Sequence, residues 1–203
     1  MCIRDRVNLL GPANSVYSQS RTVYNKRIIG SGSRKDEEVI VDIPTTLVSH
    51  IEFDNGALID SFFSFDTWKH NKNHIELYGD KGSINIPDPN TFGGSINICT
   101  SKNGEWETIA TDKNNLGKIN IHNSKKTNEN PGIANYRGSG VSEMVDSINH
   151  KRLNRCSGEL SLHVLDILDT IIKSSENDKK LQLRSSINEV SYFGEDEISK
   201  LLN

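Results

Sequence analysis

The sequence predicts an α+β fold: an open, largely antiparallel β-sheet with helices packed on one face. Three observations predict it. Short strand-like runs come in pairs closed by Asn-Gly or Lys-Gly turns. Two amphipathic helical stripes come after them, confined to the C-terminal third. Strands first and helices last is the order of an antiparallel sheet with helices segregated to one side.

The elements run in order. Residues 7–10 are apolar and lead into Gly11-Pro12, the end of a helix whose body lies upstream. Residues 16–29 read as extended chain, broken by Gly30-Ser31-Gly32-Ser33 and an exposed charged run over 34–38. The clearest hairpin spans 39–65. Leu47, Ile51 and Phe53 share one face at period two, Asp54-Asn55-Gly56 makes the turn, and Ile59, Phe63 and Phe65 return on one face. A second pair, 74–78 and 83–86, is closed by Asp80-Lys81-Gly82, and its second strand runs into the rigid loop Asp88-Pro89-Asn90-Thr91-Phe92-Gly93-Gly94. A third, 95–100 and 105–110, is closed by Lys102-Asn103-Gly104, so the three pairs describe a meander. Residues 111–130 are polar and read as a long excursion. Val141, Met144, Val145 and Ile148 form one helical stripe. Leu160, Val164, Leu168 and Ile171 or Ile172 form a second, with Asp166, Asp169 and Lys173 outside it and Ser157 as its N-cap. Residues 181–183 suit a short last strand. The second sheet face is solvated or covered by another subunit, and Phe62, Phe63, Phe65 and Trp68 favour the cover.

Bulk properties narrow the function. In 203 residues the hydrophobic fraction is 34% and the net charge −3, with no clustered excess of Lys and Arg for nucleic acid. Lys125-Lys126 is only a short basic pair. The cysteines, Cys2, Cys99 and Cys156, are odd in number and unpaired in spacing, which fits a reducing, cytoplasmic location. No apolar run is long enough to cross a bilayer. Met1-Cys2-Ile3-Arg4-Asp5-Arg6 resembles a translated sequencing adapter and has no structural logic in common with the residues after it. Residues 1–6 are therefore expected to be an artefactual leader, and native sequence to begin near Val7.

Each chemical motif has a plain alternative. Gly30-Ser31-Gly32 and Gly138-Ser139-Gly140 lack the third glycine and the strand–turn–helix setting of a dinucleotide loop. Asp66, His70 and His74 would align on a helix, but His74 opens a strand, so no metal site is expected. Cys99 and Cys156 have no base nearby in sequence and read as incidental thiols. The connection 64–71 differs. Asp66, Trp68, Lys69 and His70 combine a flat apolar surface with donors and acceptors, a mixture suited to a sugar ring and its hydroxyls, or simply to an exposed polar loop with one aromatic. Tyr136 and Arg137, at the entry to the first helix, are a second, weaker candidate.

The phrases Leu9-Leu10-Gly11-Pro12, Ser49-His50-Ile51-Glu52-Phe53-Asp54-Asn55-Gly56-Ala57, the stretch 75–94, Asn135-Tyr136-Arg137-Gly138, Ser157-Gly158-Glu159-Leu160 and His163-Val164-Leu165-Asp166 together resemble the C-terminal domain of the Gfo/Idh/MocA oxidoreductases. The resemblance implies a two-part enzyme. Its N-terminal Rossmann domain binds NAD or NADP and carries a Glu-Lys-Pro motif, and its C-terminal sheet forms a wall of the substrate pocket and the oligomer interface. Here there is no Glu-Lys-Pro, no G-x-G-x-x-G and no helix expected ahead of Leu9, so no catalytic or cofactor-binding residue carries over. Residues 7–203 are then expected to be a single substrate and oligomerisation domain for a sugar or polyol, inactive alone and binding no cofactor. It would form a homo-oligomer through the open sheet face and have no nucleic-acid or membrane partner. A free-standing binding or scaffold module that associates through the sheet is the alternative.

Overall fold

The computed structural model describes residues 3–100, 104–121, 133–188 and 191–202. In chain order the elements are α1 (Ile3–Leu10), β1 (Ala13–Arg21), β2 (Lys26–Ile28), β3 (Glu38–Ile40), β4 (Thr46–Phe53), β5 (Leu58–Ser64), β6 (Ile75–Gly79), β7 (Gly82–Ile86), β8 (Ser95–Cys99), β9 (Glu107–Ala110), α2 (Ser139–Asn149), α3 (Gly158–Asn177), β10 (Leu181–Gln182) and α4 (Glu195–Leu202). They form two compact units, one of residues 1–70 and 156–190, the other of residues 71–155 and 191–203. The architecture is α+β, and among the described residues every strand pairing is antiparallel. The strands are shared among three sheets, β10-β1-β4-β5, β2-β3 and β6-β7-β8-β9, where the sequence suggests one. Local turn chemistry writes the hairpins, but the pairing of β1 with β4 and β10 is a long-range choice with no local signal.

In the first unit the period-two pattern does what it predicts. Leu47, Ser49, Ile51 and Phe53 of β4 lie opposite Phe63, Ser61 and Ile59 of β5 and Ser20, Ser18, Val16 and Ala13 of β1, all on one face. That face meets α1 and α3. Ile3, Val7, Val16, Ile51, Phe53, Leu160, Ile167 and Ile171 make the buried core. Phe65, read as part of the inner face, lies one residue past the end of β5 and is exposed. Residues 3–6 continue one helix with residues 7–10, and Ile3 is buried in the core, one turn from Val7. Ser157 caps α3 as expected, its Oγ accepting from the Leu160 N–H at 3.2 Å. Asp166 is not on the outer side of α3 but buried, where its carboxylate collects N–H groups from the chain after β10.

In the second unit β6 to β9 form the meander, with Gly79 opposite Gly82 across the Asp80-Lys81 turn. Gly82 must be glycine: its φ is +154° and a Cβ would lie 2.3 Å from the Cys99 carbonyl oxygen. One face of the meander carries Glu76, Asn85, Asn97 and Thr108 in a cross-strand row, and the other carries Leu77, Ile84 and Ile98. The apolar row is only half-buried. The stripe of α2 differs from expectation in its direction. Val141, Met144, Val145 and Ile148 are each more than half exposed, while Glu143 and Ser147 are the buried residues. The expected excursion at 111–130 holds a 3-10 turn at Asn115–Gly117, and Lys102-Asn103, Lys125-Lys126 and Cys2 fall outside the described residues.

Candidate functional site

The 64–71 connection is anchored by Asp66. Its carboxylate accepts from the Thr45 and Thr46 hydroxyls at 2.6 and 2.7 Å and pairs with Arg27 Nη2 at 2.5 Å. The hydroxyls of Thr45 and Thr46, helped by the nearby guanidinium, hold the carboxyl below its usual range against the pull of burial. Both carboxylate oxygens therefore work inside the first unit. Beyond this anchor Trp68 is 96% exposed, and Lys69 and His70 are exposed too. The connection presents an aromatic plane beside polar groups.

Tyr136 and Arg137 lie in the second unit, and there they meet a cavity of about 430 Å³. The Pro/Gly loop after β7, the 111–119 segment and residues 133–137 enclose it. Phe92, Ile119 and Ile133 give apolar wall, while Asn90, Asp112, Asn135 and Arg137 bring planar polar groups. Tyr136 does not line the cavity. It packs edge-on against Phe92, with centroids 5.7 Å apart, and its hydroxyl donates to the Lys118 carbonyl at 2.9 Å. Arg137 Nη2 donates to the Asn90 carbonyl at 3.0 Å, tying the two walls together. The sequence marked the loop 88–94 by its Pro and Gly content and Asn135 by its neighbours. Asp112 and Ile119 carried no local signal, because the polar 111–130 composition says nothing of where the chain turns back.

Buried titratable groups occur elsewhere. His163 is fully buried, and its Nε2 accepts the Ala13 N–H at 3.0 Å. A backbone N–H can only donate, so the proton sits on Nδ1 and is offered to Ser185 Oγ at 3.0 Å. Ser185 Oγ then donates to Asp166 Oδ2 at 2.9 Å, and Asp166 also takes the Arg184 and Ser185 N–H groups. Ser, His and Asp are thus together, but the proton order is reversed from that of an activated hydroxyl: His163 donates to the serine it would need to deprotonate. The group joins α3 to the chain after β10 and to the start of β1.

Among the described residues no cluster of three or more His, Cys, Asp or Glu could hold a metal ion, and no helix is long and apolar enough to cross a membrane. A dinucleotide site of the Rossmann kind needs parallel strands and a glycine turn between strand and helix. Among the described residues every pairing is antiparallel, Gly30 to Gly32 follow β2 with no helix after them, and Gly138 to Gly140 stand at the start of α2.

An antiparallel sheet closed on one face by two helices, with a separate four-stranded meander, defines a domain of the α+β kind. The chain belongs to the Gfo/Idh/MocA oxidoreductase family. Residues 8–183 match the model described as "Oxidoreductase family, C-terminal alpha/beta domain". Among curated proteins none matches the sequence. Among solved structures it is similar to an NAD binding oxidoreductase from Klebsiella pneumoniae, with a TM-score of 0.67 and 16% identity over 91% of this chain and 49% of that one. It is also similar to a levoglucosan dehydrogenase in complex with NADH and L-sorbose, with a TM-score of 0.65 and 16% identity over 90% and 48%. A third is an aldose-aldose oxidoreductase from Caulobacter crescentus complexed with glycerol, with a TM-score of 0.57 and 13% identity over 89% and 44%. At these identities the likeness is one of fold. The chain spans about half the length of the structures it matches.

Proposed function

We propose that this chain is the C-terminal, substrate-binding and oligomerisation part of an NAD(P)-dependent sugar or polyol oxidoreductase. The observation that carries the reading is the family match over residues 8–183, joined to solved relatives, twice as long, that bind NADH and sugars or glycerol. In such an enzyme the nicotinamide takes or gives a hydride at a carbinol or carbonyl carbon, and it is supplied by residues outside this chain. This chain's part is to hold the substrate. Asp66, Trp68, Lys69 and His70 on one unit, and Tyr136 and Arg137 on the other, are the side chains proposed for that work. A location in the cytoplasm fits the sparse cysteines, odd in number.

Calorimetric titration of the chain with NADH and NADPH tests the reading. No saturable heat is expected from the chain alone, and sugar-dependent NAD(P)H production is expected once a Rossmann domain encoded by DNA upstream of Val7 is joined to it. Micromolar cofactor binding by the isolated chain, or an upstream sequence that encodes no Gly-rich βαβ unit, overturns it.

A further inference from the structure

The meander unit holds a feature that the family assignment does not explain, a cavity whose walls are built with unusual constraint. Gly117 has no room for a side chain, since a Cβ there would lie 1.9 Å from the Thr111 carbonyl oxygen. Gly94 has φ +99° and its Cβ would lie 2.9 Å from Pro87. Gly93 has φ +76° and its Cβ would press on the Gly117 carbonyl at 3.3 Å. Gly93 thus lets the loop 88–94 approach the backbone of Gly117, Gly117 lets the 111–117 segment close on itself, and Gly94 lets the loop fold back onto Pro87. The opposite wall is fixed as firmly. Asn120 and Asn135 bind each other twice, side chain to backbone, at 2.7 and 2.8 Å, and Tyr136 braces Phe92. Sites so supported reach the bound state without first ordering their walls.

The lining states what it takes. At about 430 Å³ the cavity lies in the range of small-molecule sites. Among the described residues its one guanidinium, Arg137, is matched by its one carboxylate, Asp112, a balance that favours a neutral ligand. Four of its polar lining residues, Asn90, Asp112, Asn135 and Arg137, carry planar two-pronged groups that can engage two adjacent hydroxyls at once, and Thr91, Ser95 and Thr111 add hydroxyls. Phe92, Ile119 and Ile133 supply an apolar surface for the C–H face of a ring. We infer that this cavity holds a neutral sugar of monosaccharide size, with Asp112 and Arg137 on its hydroxyls and Phe92 against its ring. The inference rests on the reading of the chain as a substrate-binding part. It fails separately, however, because it concerns sugar and that reading is tested with cofactor.

Saturation-transfer NMR on the isolated chain tests it, with D-glucose, D-fructose and D-sorbitol as neutral probes and D-gluconate as the anionic one. Saturable binding of at least one neutral probe is expected. Ala134→Phe fills the cavity while leaving the hydrogen bonds of its walls in place, and is expected to weaken that binding by about tenfold or more. Asp112→Asn is expected to weaken it by about fivefold. Circular dichroism of each variant confirms folding, and the Asp112→Asn result stands alone if Ala134→Phe does not fold. No saturation by any probe overturns the inference, as does binding of gluconate alone. Binding that survives both cavity variants but is lost in Trp68→Ala returns the site to the 64–71 connection and overturns it equally.

Discussion

Burial decides how His163 titrates. Desolvation lowers its pKa, and the nearby charges of Asp166 and Asp54 offset only part of that effect. Geometry agrees, because a second proton on the ring would aim at the Ala13 N–H, which already donates to Nε2. The folded pKa is therefore below the unfolded value of about 6.5, and the unfolded chain binds the proton that the folded chain refuses. Stability is then full above that value and falls as the pH drops through it. Urea unfolding at pH 7.5 and pH 5.5 is expected to show the loss, and His163→Gln, which keeps an acceptor for Ala13, is expected to flatten this part of the slope. An equal slope in the variant would count against the assignment. At this scale the sequence is legible unevenly. His163 and Asp166 stand in a recognisable phrase, but the helical stripe places Asp166 outside, because periodicity sees apolar faces and misses a carboxylate buried to collect N–H groups from the chain after β10. Asp66 is legible as chemistry-bearing, while its partners Thr45, Thr46 and Arg27, 20 or more residues away, are not.

At the scale of elements, α2 shows how far a stripe can be trusted. Its spacing announces a helix correctly, but burial on a helix goes to whichever side has partners. Here that side holds Glu143, which is 3% exposed. Arg152 Nη1 and Nη2 donate to its two oxygens at 2.7 and 2.6 Å, and Arg155 adds its backbone N–H and guanidinium. Arg155 reaches on to Glu197 of α4 at 2.8 Å, so one chain of ion pairs joins α2, the turn after it and α4. The hydrogen bonds from Arg152, with those from Arg155, hold the Glu143 pKa at about 2, against desolvation. Glu143→Gln leaves two guanidinium groups facing a neutral amide and is expected to cost about 3 kcal/mol. The loss is measurable by urea unfolding at pH 7, with faster hydrogen exchange in α2 and α4. The acid dependence has the opposite origin from that of His163. A depressed carboxylate stabilises above its unfolded value of about 4.3 and loses this as the pH falls toward 2, so the wild type and Glu143→Gln should converge in acid. The hairpins, by contrast, are legible almost to the residue, since Asn55-Gly56 and Asp80-Lys81-Gly82 carry their turn geometry within three positions.

At the scale of the whole molecule, what the chain leaves uncovered is as informative as its core. The inner face of the β10-β1-β4-β5 sheet is closed by α1 and α3, and the outer face is not. Across it run two registered rows. Gln19, Val48 and Phe62 form one, and Tyr17, His50 and Asp60 form the other, with Leu58 beside them. Val48, Leu58 and Phe62 are exposed, yet Tyr17 stacks on His50 and His50 Nδ1 meets Asp60 at 2.5 Å, so the surface is ordered before anything binds. A partly apolar sheet face of this kind suits a second copy of the same face, whose rows would meet their own kind about a two-fold axis. The sequence pointed to cover here through Phe62, Phe63, Phe65 and Trp68; Phe62 is on this face, Phe63 is on the inner face against the core, and Phe65 and Trp68 lie past the strand, on the connection after it. Light scattering coupled to size exclusion is expected to find a dimer or larger assembly that dissociates on dilution. Phe62→Glu sets two carboxylates against each other across such an axis and leaves the inner core untouched. It is expected to shift the assembly to monomer with a melting temperature little changed when both proteins are compared as monomers. An unaltered assembly in Phe62→Glu, or a wild-type monomer at every concentration, would remove the outer sheet face as the contact.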